Sequence, residues 1–180
     1  MKLKKLIMNY KEKLNTINTF IFDVDGVFTD GTIVVDSDGN ESRYFNTKDG
    51  IAVKLATELG YNIAIITGAN NRGIEARLNR LGVKNVFINS SDKVKDLLKY
   101  KQSNNIDLQK TVYMGDDLPD IAPMKKVYLK ACPHDASPEV RNISDYISSK
   151  NGGKGCVRDI IEQTLRVQQK WTINENSQNI

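Results

Sequence analysis

Short apolar blocks alternate along this chain with longer stretches in which apolar residues recur at helical spacing. The block Thr19-Phe20-Ile21-Phe22 runs into Asp23-Val24-Asp25-Gly26, and a run rich in Ile, Val and Phe that stops near glycine predicts a buried strand ending in a loop. Asn62 to Ile66, Val83 to Ile88 and Thr111 to Met114 repeat that pattern, with shorter pieces at Val127-Tyr128-Leu129 and Tyr146-Ile147-Ser148. Between the blocks, Leu3, Leu6, Ile7, Tyr10 and Leu14 predict an amphipathic helix over 3–14. Ile51 to Leu59, after a polar break at 46–50, predicts a second helix stopped by Gly60. Residues 70–81 form a third, closed by Gly82, and Lys93 opens a fourth that reaches about Tyr100. Residues 32–45 hold two strand-like pieces around an Asp-Gly turn, a β-hairpin just beyond the paired acids. Strand alternating with helix predicts an α/β fold with a doubly wound, mainly parallel sheet.

Composition narrows this picture without changing it. With 180 residues and 39 % hydrophobic content the chain can fill one core, so we expect a single domain over 1–171 followed by a polar tail at 172–180. The balance of 26 basic and 22 acidic residues, a net charge of +4, is mild and interspersed. It argues against a nucleic-acid surface and suits a small anionic substrate. Cys132 and Cys156 stand far apart with His134 as the one histidine, which leaves no Cys/His zinc spacing and no disulfide framework. No segment has the apolar length of a signal peptide or membrane span. A soluble, cytoplasmic protein with no membrane partner is the expectation.

The chemistry gathers at the strand ends. In an extended segment residues i and i+2 point the same way, so Asp23 and Asp25 project into one volume. Two such carboxylates repel unless a cation or a shared proton intervenes, and oxygen ligands on short spacing suit Mg²⁺. An Asp-x-Asp-Gly turn at a strand end also occurs without any chemistry. The other strands end at Thr67-Gly68, at the Ser90 to Lys93 turn and at Asp116-Asp117, and ligands of open parallel sheets bind beyond those carboxyl ends. Carboxylates for Mg²⁺, a hydroxyl with backbone N–H groups and a lysine for phosphate oxygens, and a carboxylate nucleophile are the parts of phosphoryl transfer.

In these motifs the chain resembles the haloacid dehalogenase (HAD) phosphatase superfamily. Further stretches, Phe45 to Gly50, Ile65 to Gly68, Gly115 to Asp120 and Asn151 to Asp159, are similar to the capless 3-deoxy-D-manno-octulosonate 8-phosphate (KDO 8-phosphate) phosphatases, over residues 15–171. The resemblance implies a HAD-like fold with a hairpin flap and no cap domain, since only a hairpin and a helix separate Asp25 from Thr67 and only a helix separates Lys93 from Asp116. It implies Asp23 as the nucleophile that becomes an aspartyl-phosphate and Asp25 as general acid and base. It assigns Mg²⁺ to Asp23, Asp25 and Asp116, with Asp117 behind them through water, and the phosphoryl group to Thr67, Gly68 N–H and Lys93.

For the sugar acid itself the resemblance and the charge offer Asn46, Asp49, Arg72, Arg80 and Lys154, with Arg77 and Arg158 also available. Relatives form homotetramers in which hairpins and C-terminal tails of neighbours close the site, so the hairpin and the tail after Trp171 are the candidate lid. The product would feed lipopolysaccharide precursor synthesis. Ala69 stands where some octulosonate phosphatases carry Arg, which keeps nine-carbon nonulosonate 9-phosphates open as substrates. A phosphomutase would need a cap. A receiver-like phospho-Asp signalling module also gathers acids, a Thr and a Lys at strand ends, but does not need a second acid two residues beyond the phosphorylated one.

Overall fold

The computed structural model describes residues 10–171. Six parallel strands form its sheet, β1 (Thr19–Phe22), β4 (Asn62–Ile66), β5 (Asn85–Phe87), β6 (Thr111–Met114), β7 (Leu129–Cys132) and β8 (Tyr146–Ile147), in the order β5-β4-β1-β6-β7-β8. Strand β1 is central, with Phe20 opposite Ile63 on one side and Val112 on the other. All four of its residues are buried. A strand covered on both faces must be apolar throughout.

Alternation along the strands divides the core in two. Phe20, Phe22, Ile63, Ile65, Val112 and Met114 face one layer of helices: α2 (Thr47–Glu58), α3 (Arg72–Asn79) and α7 (Cys156–Val167). Ile21, Ala64, Ile66 and Tyr113 face the other, made by α4 (Lys93–Asn104), α5 (Ile121–Met124) and α6 (Pro138–Ile143). The sequence expectation of a doubly wound parallel sheet is met. The hairpin is met as well, as the short antiparallel pair β2 (Val34–Val35) and β3 (Glu41–Ser42). Its turn is tied by the Asp36 carboxylate, which accepts from the N–H groups of Asp38 and Asn40.

Boundaries differ in instructive ways. Helix α2 starts at Thr47 rather than Ile51 because Asn46 is its N-cap, its side chain accepting from Lys48 N; the polar stretch is a capping segment and first turn, not a break. Helix α4 runs past Tyr100 to Asn104 and stops where Asn105 turns left-handed at φ 51. Of the N-terminal helix over 3–14, the described part is α1 (Tyr10–Leu14), and the rest lies outside the described residues. The strand expected at 127–129 lies at 129–132. Among the described residues no cap domain interrupts the sheet: the hairpin and α2 lie between β1 and β4, and α4 between β5 and β6.

Candidate active site

Four loops at the carboxyl ends of β1, β4, β5 and β6 converge on a cleft of about 780 Å³, lined among others by Asp23, Asp25, Thr67, Gly68, Lys93 and Asp116. The chain leaves β1 to build β4 and β5 on one side and then crosses to build β6, β7 and β8 on the other, so the cleft opens where the strand order reverses. Asp117 also lines it.

Asp23 is 8 % exposed. Its N–H donates to Met114 O at 3.1 Å, continuing the sheet. Its Oδ1 accepts from Val24 N at 2.7 Å and its Oδ2 from Lys93 Nζ at 2.7 Å. Lys93 is the first residue of α4, whose N-cap Asp92 accepts from Val94 N and Lys95 N; that cap fixes where the lysine leaves the helix. Its ammonium also donates to Asp120 Oδ1 at 2.8 Å. Burial opposes the lysine's charge, but Asp23 and Asp120 outweigh it and hold its pKa above the ordinary value.

Asp120 is fully buried. It accepts from Lys93, from Tyr113 Oη at 2.9 Å and from Asp116 N at 3.1 Å, so it binds the loop after β6 to the lysine. Asp23, Asp116 and Asp120 each bring a carboxylate oxygen within 4.8 Å of the others. Burial first, then Asp23 and Asp120, push Asp116 up to about 8. Burial and Asp120 likewise raise Asp23 against the pull of Lys93. Two buried acids and the half-buried Asp116 facing one lysine leave a surplus of negative charge, and the donors are all hard oxygens. The set fits a small divalent cation such as Mg²⁺.

The backbone makes room for this crowding. Gly26, at φ +79, packs so tightly on Asp116 that a Cβ there would lie 1.9 Å from Asp116 Oδ2. Gly152 closes behind it, a Cβ there falling 2.0 Å from Gly26 O. Across the cleft, Thr67 is 1 % exposed and its Oγ1 accepts from Ala69 N at 3.2 Å. Its N–H donates to Phe87 O, and Ser90 N donates back to Thr67 O, so the turn after β4 is fastened to the one after β5.

The structure places the remaining expected residues as follows. The Asp25 carboxylate is not in the acidic cluster: it accepts from Arg43 Nε at 2.7 Å and from Nη2 at 3.0 Å, and Asp120 holds the third place. Asp49 is fully buried between α2 and α7, where it accepts from Arg158 N at 2.7 Å. Asn46 caps α2 and donates to Gly153 O. Arg80 caps the far end of α3, two helical turns from the cleft. Lys154 is exposed and pairs with Asp30 at 3.5 Å, while Arg158 pairs with Glu162. Arg77 lines a groove beneath the hairpin. Arg72 alone of the proposed substrate residues lines the space adjoining the cleft. The tail 172–180 lies outside the described residues.

Asp120 and Arg43 were not singled out from sequence. Asp120 had a signal, as the third acid of the short run Asp116-Asp117-Leu118-Pro119-Asp120 at the end of an apolar strand. Arg43 follows Glu41 by two, just beyond the returning strand, and its Nη1 donates to Glu41 Oε2.

A haloacid dehalogenase-like hydrolase family model matches residues 85–160. The 3-deoxy-D-manno-octulosonate 8-phosphate phosphatase of Escherichia coli K12 is 34 % identical over 158 residues, covering 88 % of this chain and 84 % of that protein. The crystal structure of the phosphatase of the same name from Yersinia pestis superposes with a TM-score of 0.88 at 31 % identity, over 91 % of this chain and 88 % of that one. The Moraxella catarrhalis phosphatase, solved in complex with magnesium ion, phosphate ion and a KDO molecule, gives a TM-score of 0.86 at 32 % identity, over 90 % and 94 %.

Proposed function

This chain belongs to the 3-deoxy-D-manno-octulosonate 8-phosphate phosphatase family of haloacid dehalogenase-like hydrolases, and from that membership we infer that it hydrolyses KDO 8-phosphate to KDO and phosphate. It is a Mg²⁺-dependent phosphomonoesterase. The observation that carries the reading is the cleft itself, in which one buried aspartate held by a lysine stands beside two further acids and opposite a hydroxyl-bearing turn.

We propose the following roles. Asp23, fixed by Val24 N–H and Lys93, attacks phosphorus. The bond from phosphorus to the sugar oxygen breaks, and Asp25 gives that oxygen a proton. Water then attacks the aspartyl-phosphate, Asp25 takes its proton, the bond from phosphorus to Asp23 breaks and phosphate leaves. Lys93, Thr67 and the Gly68 N–H offset the charge that spreads over the phosphoryl oxygens. Asp23 and Asp116 would hold Mg²⁺, with Asp120 committed to positioning the loop and Lys93, and Asp117 reaching the ion through water. When bound, the metal supplies charge neutralisation at the transferring group.

We further propose a homotetramer built through the hairpin, which exposes Ile33, Val34, Val35 and Tyr44. A cytoplasmic location fits the free thiols Cys132 and Cys156, and subcellular fractionation checks it; among the described residues no helix is long and apolar enough to cross a membrane. There the product would enter lipopolysaccharide precursor synthesis.

The test of substrate is phosphate release with Mg²⁺ from KDO 8-phosphate, a nine-carbon keto-deoxy sugar 9-phosphate and p-nitrophenyl phosphate. The expected result is the highest kcat/KM for the eight-carbon ester. A preference for the nine-carbon ester would keep the chemistry and reassign the substrate, with Ala69 as the first place to look.

A further inference from the structure

Arg43 sits just beyond β3 with its side chain 4 % exposed. Its Nε and Nη2 grip the two oxygens of Asp25, at 2.7 and 3.0 Å, and Nη1 donates to Glu41 Oε2 at 3.0 Å. Both oxygens of the proposed acid and base are therefore engaged by a side chain that takes no part in the chemistry. Asp25 must leave that grip to reach the ester oxygen.

Arg43 also lines a second cleft, of about 730 Å³, between the hairpin and the turn that leads into α3. This space shares Asp25, Gly68 and Ala69 with the catalytic cleft. An ester with its phosphorus at Asp23 extends its remaining atoms into it. Arg43 and Arg72 are the basic residues of its lining. Arg43 is the one already holding a carboxylate in side-on, two-pronged geometry, the arrangement a guanidinium offers any carboxylate.

Building on the reading of the substrate as a sugar acid phosphate, we propose that Arg43 recognises the substrate's carboxylate, and that in binding it Arg43 passes from Asp25 to the substrate. The exchange keeps the arginine paired throughout, so its own charge is never left bare in the cleft. It also releases Asp25 to meet the leaving oxygen. An ester without a carboxylate leaves the grip closed, so selection acts on turnover as well as on binding.

The test is steady-state kinetics of wild type, Arg43→Met, Arg43→Lys and Arg72→Met with KDO 8-phosphate and p-nitrophenyl phosphate at saturating Mg²⁺. Failure of the substrate reading would be visible in the wild type alone, as no preference for KDO 8-phosphate. Given that preference, Arg43→Met is expected to lower kcat/KM for KDO 8-phosphate by about tenfold or more, the scale of a charge-assisted pair, through both kcat and KM. Turnover of p-nitrophenyl phosphate is expected to rise as Asp25 is freed, and Arg43→Lys to recover part of the loss. A parallel fall on both esters would make Arg43 a mere holder of Asp25 and overturn the proposal, as would a selective loss in Arg72→Met with none in Arg43→Met. A selective loss without the rise would keep the recognition and overturn the release.

Discussion

Asp116 and Asp49 are both carboxylates whose pKa is raised by burial, yet their surroundings differ in kind. Asp116 is pushed up to about 8 because, beyond burial, it crowds against Asp23 and Asp120, with carboxylate oxygens within 4.8 Å of one another; a divalent cation relieves that repulsion by displacing protons. Asp49 is pushed up to about 6 by burial, opposed by the N–H groups of Arg158 and Gly155, and its Oδ2 has no hydrogen-bond partner among the described residues. Its folded pKa lies above the ordinary 3.8, so its contribution to stability is complete below about pH 4 and is lost as pH rises through about 6. At about 1.4 kcal/mol per pH unit the loss is of order 3 kcal/mol. Asp49→Asn removes the charge, so urea unfolding of the two proteins should favour the variant increasingly between pH 4 and pH 7. A difference that stays flat over that range would show that Asp49 does not titrate there. At this scale the sequence is an uneven guide. The i, i+2 spacing placed Asp23 and Asp25 together, whereas the partner of Asp25 comes from 18 residues away and appears only once the hairpin folds back.

Among the elements, the strands and the helices between them were legible because their apolar periods are strong, and α7 was not sought although its face is plain. Cys156, Val157, Ile160, Ile161, Thr164 and Leu165 are buried along one side of it, the i, i+1, i+4, i+5 rhythm of a helix laid on a sheet. Its position explains Asp49 and the glycines of 152–155. Asp49 accepts from its first turn, and the loop before it presses Gly152 and Gly153 onto the backbone of Gly26 and Thr29. Glycine there is a packing requirement of the catalytic loop. The hairpin poses the opposite case. Its strands are two residues each and wholly exposed, with Val35 61 % and Tyr44 75 % exposed, the apolar surface on which the proposed assembly is built. Light scattering should give about 81 kDa, four times the 20.3 kDa chain, and Val35→Asp combined with Tyr44→Glu should lower that mass. A wild-type monomer, or a variant that stays tetrameric, would contradict assembly through the hairpin.

For the whole molecule, topology does the positioning. One central strand ends at Asp23, and the two later strands that flank it, β4 and β6, deliver Thr67 and Asp116 to its two sides, while α4 brings Lys93 onto Asp23 and Asp120. Because no domain is inserted among the described residues, nothing else in the fold competes for that edge, and the family relationship over most of the chain accords with it. The acidic cluster was only partly legible: Asp120 joins it only because the packed loop turns its carboxylate inward onto the Asp116 N–H. The central claim is that phosphate is transferred through Asp23 with Mg²⁺. Its most direct test is phosphate release from KDO 8-phosphate by wild type and Asp23→Asn, each with Mg²⁺ and with EDTA. Turnover by wild type with Mg²⁺ alone, and a loss in Asp23→Asn of about 10⁴-fold or more, as for removal of an enzymatic nucleophile, is the predicted result; an Asp23→Asn enzyme within tenfold of wild type, or hydrolysis undiminished by EDTA, would contradict it.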